Sequence, residues 1–189
     1  MSLRVRDNEW SPEVGHYIQH NKIWRWEVVA GACLMNGYRY GAELGVSTGR
    51  FTMFLCALIP GMKMVAVDLW APQPENTGAE KYTDWDHEGS YRKFSEICRS
   101  ELPGRVQIIR DTTLNAAKLI ADEALDFVFV DADHSYEACK ADIEAWTPKI
   151  RPGGMICGHD FNWPGVEQAV RETGNAAVTH DNVWMRGRK

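Results

Sequence analysis

The sequence predicts an α/β protein: one doubly wound, mostly parallel seven-stranded sheet with helices on both faces. Three observations carry that expectation. From Tyr38 onward, short apolar runs alternate with segments of helical period, the pattern of a parallel sheet covered on both sides. Residues 125–161 read as strand, helix and strand, of the length a parallel crossover needs. Finally, several apolar runs end in glycine turns, acids or histidines, and parallel strands present their carboxyl ends on one edge, where ligands of α/β proteins bind.

The elements follow in order. Residues 1–36 form a helical preface, with Ser11-Pro12-Glu13 as a start signal and Ile18, Ile23, Trp24, Val28 and Leu34 as irregular apolar positions. Residues 40–44 make the first strand. Phe51, Phe54, Leu55 and Leu58 then mark one helix face at i, i+3, i+4 and i+7. The second strand spans 64–67. Residues 70–90 are too long and too polar for a routine connection, and a lid over the ligand edge is expected there. A helix over 91–102, a strand over 106–109 and a short helix over 114–121 come next. Residues 127–130 are the fourth strand, and Ser135 caps the helix that follows. In that helix Cys139, Ile143, Trp146 and Ile150 supply the apolar face, while Lys140, Asp142, Glu144 and Lys149 take other faces. Arg151-Pro152-Gly153-Gly154 breaks the helix before a fifth strand at 155–158. A helix over 165–172 and short strands at 176–179 and 183–185 complete a single domain spanning residues 1–189.

Composition bounds the function. With 44% hydrophobic and 25% charged residues the chain reads as an ordinary soluble globular protein. A net charge of -5 offers no basic face, so nucleic acid is not an expected partner. No apolar run has membrane-spanning length, and the first residues lack the apolar core of a secretory signal. Five cysteines without a C-x-x-C spacing fit small core residues in a reducing cytoplasm rather than a disulfide framework. The eight tryptophans fit core and interface packing better than an aromatic substrate cage. The preface helix or an edge strand offers a surface for a homodimer.

The first half contains a nucleotide-type pocket. Glu43, Gly45, Ser47, Thr48 and Gly49 close the first strand and open the first helix, and the glycines permit a tight turn with close ligand approach. The second strand ends at Asp68, where an acid can accept hydrogen bonds from both ribose hydroxyls. A dinucleotide fingerprint needs a third glycine, which is missing, and Glu43 would repel a pyrophosphate. No Gly-Lys-Ser/Thr follows either, so this is not a P-loop. An acid at Glu43 suits a ligand bearing an ammonium or sulfonium group.

The motifs ELGVSTG, VAVDLW, the acid at Asp111, DFVFVDADHSY and PGGMICGHDF, in that order, resemble those of class I S-adenosylmethionine-dependent methyltransferases over about residues 38–172. They are closest to small bacterial relatives of the metal-dependent O-methyltransferases. The resemblance implies a Rossmann-like methyltransferase fold and S-adenosylmethionine as cofactor. Gly45 through Gly49 would wrap its methionine part, with Glu43 near the ammonium. Asp68 would hold the ribose, and Leu69 or Trp70 would flank the adenine, unless Trp70 packs under the lid. Asp111 with Thr112 would sit near the adenine amino group, unless Asp111 caps the next helix.

The second half then reads as the acceptor end. Methyl transfer to oxygen needs an oxygen freed of its proton and held in line with the sulfonium carbon. In the metal-dependent relatives a strand-end acid and an adjacent pair ligate a divalent cation, which does both. Those positions correspond here to Asp131, His159 and Asp160. Mg²⁺ or Mn²⁺ is the expected metal, although the His-Asp pair departs from the acid–acid or acid–amide pattern and also suits Fe²⁺, Co²⁺ or Zn²⁺. In the alternative, Asp131 touches the cofactor and His159-Asp160 form a hydrogen-bonded strand end. His134 takes the position of a general base or, alternatively, only opens the helix at Ser135. His87, in the polar segment, is the remaining histidine best placed to reach a substrate. The expected activity is O-methylation of a small hydroxylated metabolite. Its rivals are a nicotinamide-dependent oxidoreductase, disfavoured by the glycine pattern and Glu43, and a non-catalytic assembly member, disfavoured by Asp131, His134 and Asp160.

Overall fold

The computed structural model describes residues 23–72 and 86–189. Seven strands form one sheet in the order β3-β2-β1-β4-β5-β7-β6. β1 (Tyr40–Leu44) pairs in parallel with β2 (Lys63–Asp68) and β4 (Leu125–Val130). β3 (Val106–Arg110) extends the sheet beyond β2, and β5 (Ile150–Gly158) beyond β4, both in parallel. β7 (Trp184–Gly187) runs antiparallel against β5, and β6 (Ala177–Val178) antiparallel against β7. Chain order therefore reverses between β1 and β4. Connections leave that point in opposite directions and open a crevice at the strands' carboxyl ends.

Six α-helices cover the sheet: α1 (Arg25–Asn36), α2 (Arg50–Leu58), α3 (His87–Glu101), α4 (Thr113–Ala117), α5 (Tyr136–Trp146) and α6 (Pro164–Thr173), counted among the described residues. Alternation along the strands divides the core. Ala42 and Leu44 of β1, Val65 and Val67 of β2, and Val128 and Val130 of β4 pack with Ala116, Ile143, Trp146 and Val170 under α4, α5 and α6. The intervening Met64, Phe127 and Phe129 pack with Val29 and Cys33 of α1 and Phe51 and Leu55 of α2. Phe51 stacks on Phe129 with centroids 4.1 Å apart. A third cluster, Val46, Ala66, Trp70, Phe94 and Cys98, lies under α3.

Three elements depart from the sequence reading. Helix α3 begins at His87, inside the segment expected to be a polar lid, because the Asp86 carboxylate caps it by accepting the Gly89 N–H at 2.8 Å. Helix α4 ends at Ala117, earlier than the apolar pattern suggested. Strand β5 starts at Ile150, so the Arg-Pro-Gly-Gly break is not a loop. Ile150 pairs with Leu125 and Met155 with Phe127, and the residues between them form a bulge with Gly153 at φ +77°. The bulge is tied down on both sides: Tyr38 donates its hydroxyl to Gly153 O at 2.7 Å, and Arg151 Nε donates to Asp126 at 2.6 Å. Asp142 is a further correction. It shares the buried face of α5 with Cys139, Ile143 and Trp146 instead of a solvated one. The expected helix start near Ser11 and residues 73–85 of the expected lid lie outside the described residues.

Candidate active site

The carboxyl ends of β1 through β5 line one cleft of about 690 Å³, a volume suited to a cofactor and a small acceptor. Its first wall is the β1–α2 turn. Gly45 at φ +85° and Gly49 at φ +79° hold the turn where a side chain has no room. A Cβ on Gly45 would lie 2.1 Å from Asp131 O, and one on Gly49 would lie 2.0 Å from the Phe94 ring. Between them Ser47, also at positive φ, and Thr48 face the cleft.

Asp68 stitches this turn to the end of β2. One oxygen accepts the N–H groups of Val46 and Ser47 at 2.8 and 2.7 Å, and the other accepts that of Trp70 at 2.7 Å. The carboxylate thus shapes the pocket and faces it at once. Leu69 lines the cleft beside it. Trp70 lines the cleft as well, and its ring is packed. It lies against Tyr91 and Phe94 of α3, and its Nε1 donates to Ser47 O at 2.8 Å.

Glu43 lies beneath the turn, only 3% exposed, and accepts the Thr52 N–H at 3.1 Å and the Thr52 hydroxyl at 2.5 Å. Burial pushes its carboxyl up to about 8, against the pull of the Thr52 bonds and with some help from Asp131. That shift favours the protonated carboxyl near neutral pH.

The β3–α4 turn forms the next wall. Asp111 is half-buried, accepts from Asn115 Nδ2 at 3.0 Å and Thr112 N at 2.7 Å, and is held below the usual carboxylate range by those bonds. Thr112 is the cap residue, its hydroxyl accepting from Asn115 N at 3.2 Å. Both line the cleft while they shape the helix start. Behind it Thr113 donates its hydroxyl to the buried Asp142 at 2.5 Å. Burial raises the Asp142 carboxyl to about 6 despite that bond.

The opposite end holds the imidazole–carboxylate cluster. Asp131 leaves β4, its N–H bonded to Leu44 O at 2.8 Å, while Asp160 follows β5 at φ +54°. Asp160 Oδ2 lies 2.8 Å from His134 Nε2 and 3.0 Å from His159 Nδ1. Asp131 Oδ1 lies 3.9 Å and 3.7 Å from the same two nitrogens. The 2.8 Å contact is short but poorly aligned, and the Nε2 atoms of His134 and His159 are both sealed from solvent without an aligned acceptor. Burial alone would lower both imidazoles. The contacts with Asp131 and Asp160 outweigh it, lifting His134 to about 9 and raising His159 as well. Burial pulls Asp160 the other way, but the two imidazoles hold it far below the usual range. Asp133 is not part of the cluster: it accepts from Ser135 N at 2.7 Å and shapes the start of α5.

The structure thus brings Asp131, His134, His159 and Asp160 together, and places the glycine turn, Asp68, Asp111 and Thr112 around the same cleft. Residues not singled out as site residues also reach it. Trp24, Arg25 and Trp26 of the α1 start line the cleft, and Arg25 Nε lies 3.2 Å from Asp131 Oδ2. Sequence offered no signal for Arg25, whose role depends on where the preface docks. Asp142 had one: its spacing from Cys139 and Ile143 matches the buried face. His87 heads α3 and lines the cleft as well.

Fold and site together define an α/β domain with a glycine-turn pocket at one end of a cleft and an imidazole–carboxylate cluster at the other. The methyltransferase domain family matches residues 42–161, well over half of the chain, from Ala42 to Phe161. The chain belongs to that family, and with it to the class I S-adenosylmethionine-dependent methyltransferases. It is similar to an uncharacterized protein, y4gI, of Sinorhizobium fredii, at 27% identity over 154 residues. That alignment covers 77% of this chain and 16% of y4gI, so the chain spans about a sixth of that relative's length. Among solved structures, a putative caffeoyl-CoA O-methyltransferase from Staphylococcus aureus superposes with a TM-score of 0.66 at 14% identity, covering 96% of this chain and 93% of that one. An O-methyltransferase from Bacillus cereus in complex with SAH gives 0.59 at 21% identity, covering 98% and 84%. At these identities the structural likeness bears on the fold. Among the described residues, no helix is long and apolar enough to cross a membrane.

Proposed function

We propose that the chain transfers the methyl group of S-adenosylmethionine to a hydroxyl oxygen of a small metabolite. The observation that carries this reading is the placement of the Gly45–Gly49 turn with Asp68 and of the His134–Asp160 pair in one cleft. The turn would wrap the methionine part of the cofactor, Glu43 would meet its ammonium, Asp68 its ribose hydroxyls, and Asp111 with Thr112 its adenine amino group. Held so, the cofactor would present its methyl group to an acceptor at the Asp131 end. There the acceptor's O–H would give its proton to the neutral form of His134, which Asp160 orients and whose population grows as pH rises toward 9, while the oxygen takes the methyl carbon and the carbon–sulfur bond breaks. S-adenosylhomocysteine leaves with the sulfur electron pair. Five buried, unpaired cysteines support a reducing, cytoplasmic setting.

The same cluster has the chemistry to hold a divalent cation. Donor atoms of Asp131, His134 and Asp160 all lie within 4.8 Å of one another, and the sealed imidazole nitrogens are the kind of orphaned donors a metal satisfies. His159 of the expected set stands beside these three, its Nδ1 3.0 Å from Asp160 Oδ2 and 3.7 Å from Asp131 Oδ1. Bound there, Mg²⁺ or Mn²⁺ would lower the pKa of the acceptor hydroxyl as a Lewis acid. With the cation bound His134 serves as a ligand; without it His134 serves as the base.

His134→Ala is expected to lower turnover at least 100-fold and to leave S-adenosylhomocysteine affinity within about twofold, as loss of a general base should. Steady-state kinetics with a catechol-type probe acceptor, together with calorimetry, read both quantities. Unchanged turnover removes His134 from the chemistry. Transfer that persists in chelator, from protein free of metal, removes the cation from it.

A further inference from the structure

Helix α1 reaches into the cleft through one side chain whose position is fixed from several directions. Arg25 Nε lies 3.2 Å from Asp131 Oδ2, its guanidinium sits 5.5 Å from the centroid of the Trp26 ring, and its backbone N–H donates to Asp181 Oδ2 at 2.9 Å. Trp26 in turn stacks on Trp24, with centroids 5.2 Å apart, and packs against Phe54 of α2. Asp181 belongs to a short 3₁₀ turn before β7, stands at φ +56°, and also approaches His159 Nε2 at 3.6 Å. The guanidinium is therefore no loose surface charge. The Arg25 and Asp131 side chains are 30% and 14% exposed, so water screens their attraction only in part.

The pairing divides Asp131 between two sides. Oδ2 faces Arg25, whereas Oδ1 faces His134 and His159. A guanidinium is charged at any working pH. It thus supplies a permanent positive charge on the carboxylate that a cation would need most. We propose that Arg25 is the resident counter-ion of Asp131 and opposes a divalent cation at the Asp131–His134–Asp160 cluster, so that α1 sets the metal affinity of the acceptor end. This rests on the reading of that cluster as a cation site. Arg25 is a positioning residue here: it turns Oδ1 toward the imidazoles and weakens the cluster's hold on a second positive charge. Like charges that share one carboxylate in a half-buried site repel strongly, and one charge removed is expected to strengthen divalent binding by an order of magnitude or more.

The experiment is a Mn²⁺ titration of the full chain, read by the paramagnetic resonance signal of free Mn²⁺ and by calorimetry. It compares wild type with Arg25→Gln, Arg25→Lys and the double variant Arg25→Gln/Asp131→Asn. Thermal unfolding and S-adenosylhomocysteine affinity identify any variant that has lost its fold. The expected result is Mn²⁺ bound at least tenfold more tightly by Arg25→Gln than by wild type, Arg25→Lys close to wild type, and the gain abolished in the double variant. Equal or weaker binding by a folded Arg25→Gln overturns the proposal. So does a gain that survives Asp131→Asn, because the ion then sits elsewhere. If no protein in the set binds Mn²⁺, the cation site and the proposal both fall. S-adenosylhomocysteine binding in those same samples shows separately that the methyl-transfer reading stands.

Discussion

Glu43 carries a testable consequence of burial. Burial raises its carboxyl to about 8, which favours the protonated form at pH 7. An ammonium group placed beside it favours the charged form. Binding of S-adenosylhomocysteine at pH 7 should therefore release close to one proton, and the release should fade above about pH 9. Calorimetry in buffers of different ionisation enthalpy measures this directly. Binding with no proton exchange would place the ammonium elsewhere. The sequence showed an acid at this position. It did not show the charge state, because that depends on Thr52 and on the strand's alternation turning Glu43 under α2. The His134–Asp160 contact was similarly half legible. Both residues stood out at strand ends, but their pairing requires Asp160 in the left-handed region, which no local pattern announces.

At the scale of elements, the β1–α2 turn is the most constrained piece of the site. Gly45→Ala forces a Cβ against the Asp131 carbonyl, and Gly49→Ala forces one into the Phe94 ring, both at positive φ. Each substitution should destabilise the fold by roughly 2–4 kcal/mol, the range of backbone strain combined with a core clash. Urea unfolding followed by circular dichroism measures the loss, and Gly61→Ala is the comparison. Gly61 also has positive φ but no atom within 4 Å of an added Cβ, so its loss should be smaller. Equal losses at all three positions would show that strain alone matters and that contact with β4 and α3 does not. Most elements were readable from the periods of two and 3.6. Those missed share a cause: their boundaries are set by tertiary partners. The bulge in β5 closes on Asp126 and Tyr38, and α3 starts at a capping aspartate embedded in a polar stretch.

Across the whole molecule, buried acids shape the response to pH. Asp142 has a folded pKa raised to about 6, above its unfolded value near 4. The folded state therefore binds more protons between those values. Asp142's favourable contribution is fully present below about pH 4 and is lost as pH rises through 6. Asp142→Asn should remove that dependence and should gain stability relative to wild type on moving from pH 4.5 to pH 8. Parallel urea titrations at the two values test it. A wild-type-minus-variant difference independent of pH would mean that Asp142 titrates normally. Asp126 works in the opposite sense. Burial opposes its charge, but bonds from Arg39, Arg151 and Tyr40 win, so its support is present above the unfolded value and is lost in acid. The mostly parallel sheet and the gathering of strand ends at one edge were legible in the alternation of elements; the strand order was not. The docking of α1 over the Asp131 end of the cleft was not legible either, since it rests on Arg25 meeting Asp131 and Asp181 from distant parts of the chain.

The central claim is that the Gly45–Gly49 turn and Asp68 build a pocket for S-adenosylmethionine. Calorimetric titration of the purified chain with S-adenosylhomocysteine tests it most directly, with Asp68→Ala as the paired sample. The prediction is one molecule bound per chain by the wild type, and an affinity at least 100-fold lower in Asp68→Ala, which loses the ribose acceptor and the carboxylate that holds Val46, Ser47 and Trp70 in place. No binding of either S-adenosylhomocysteine or S-adenosylmethionine to the folded wild-type chain would contradict the account.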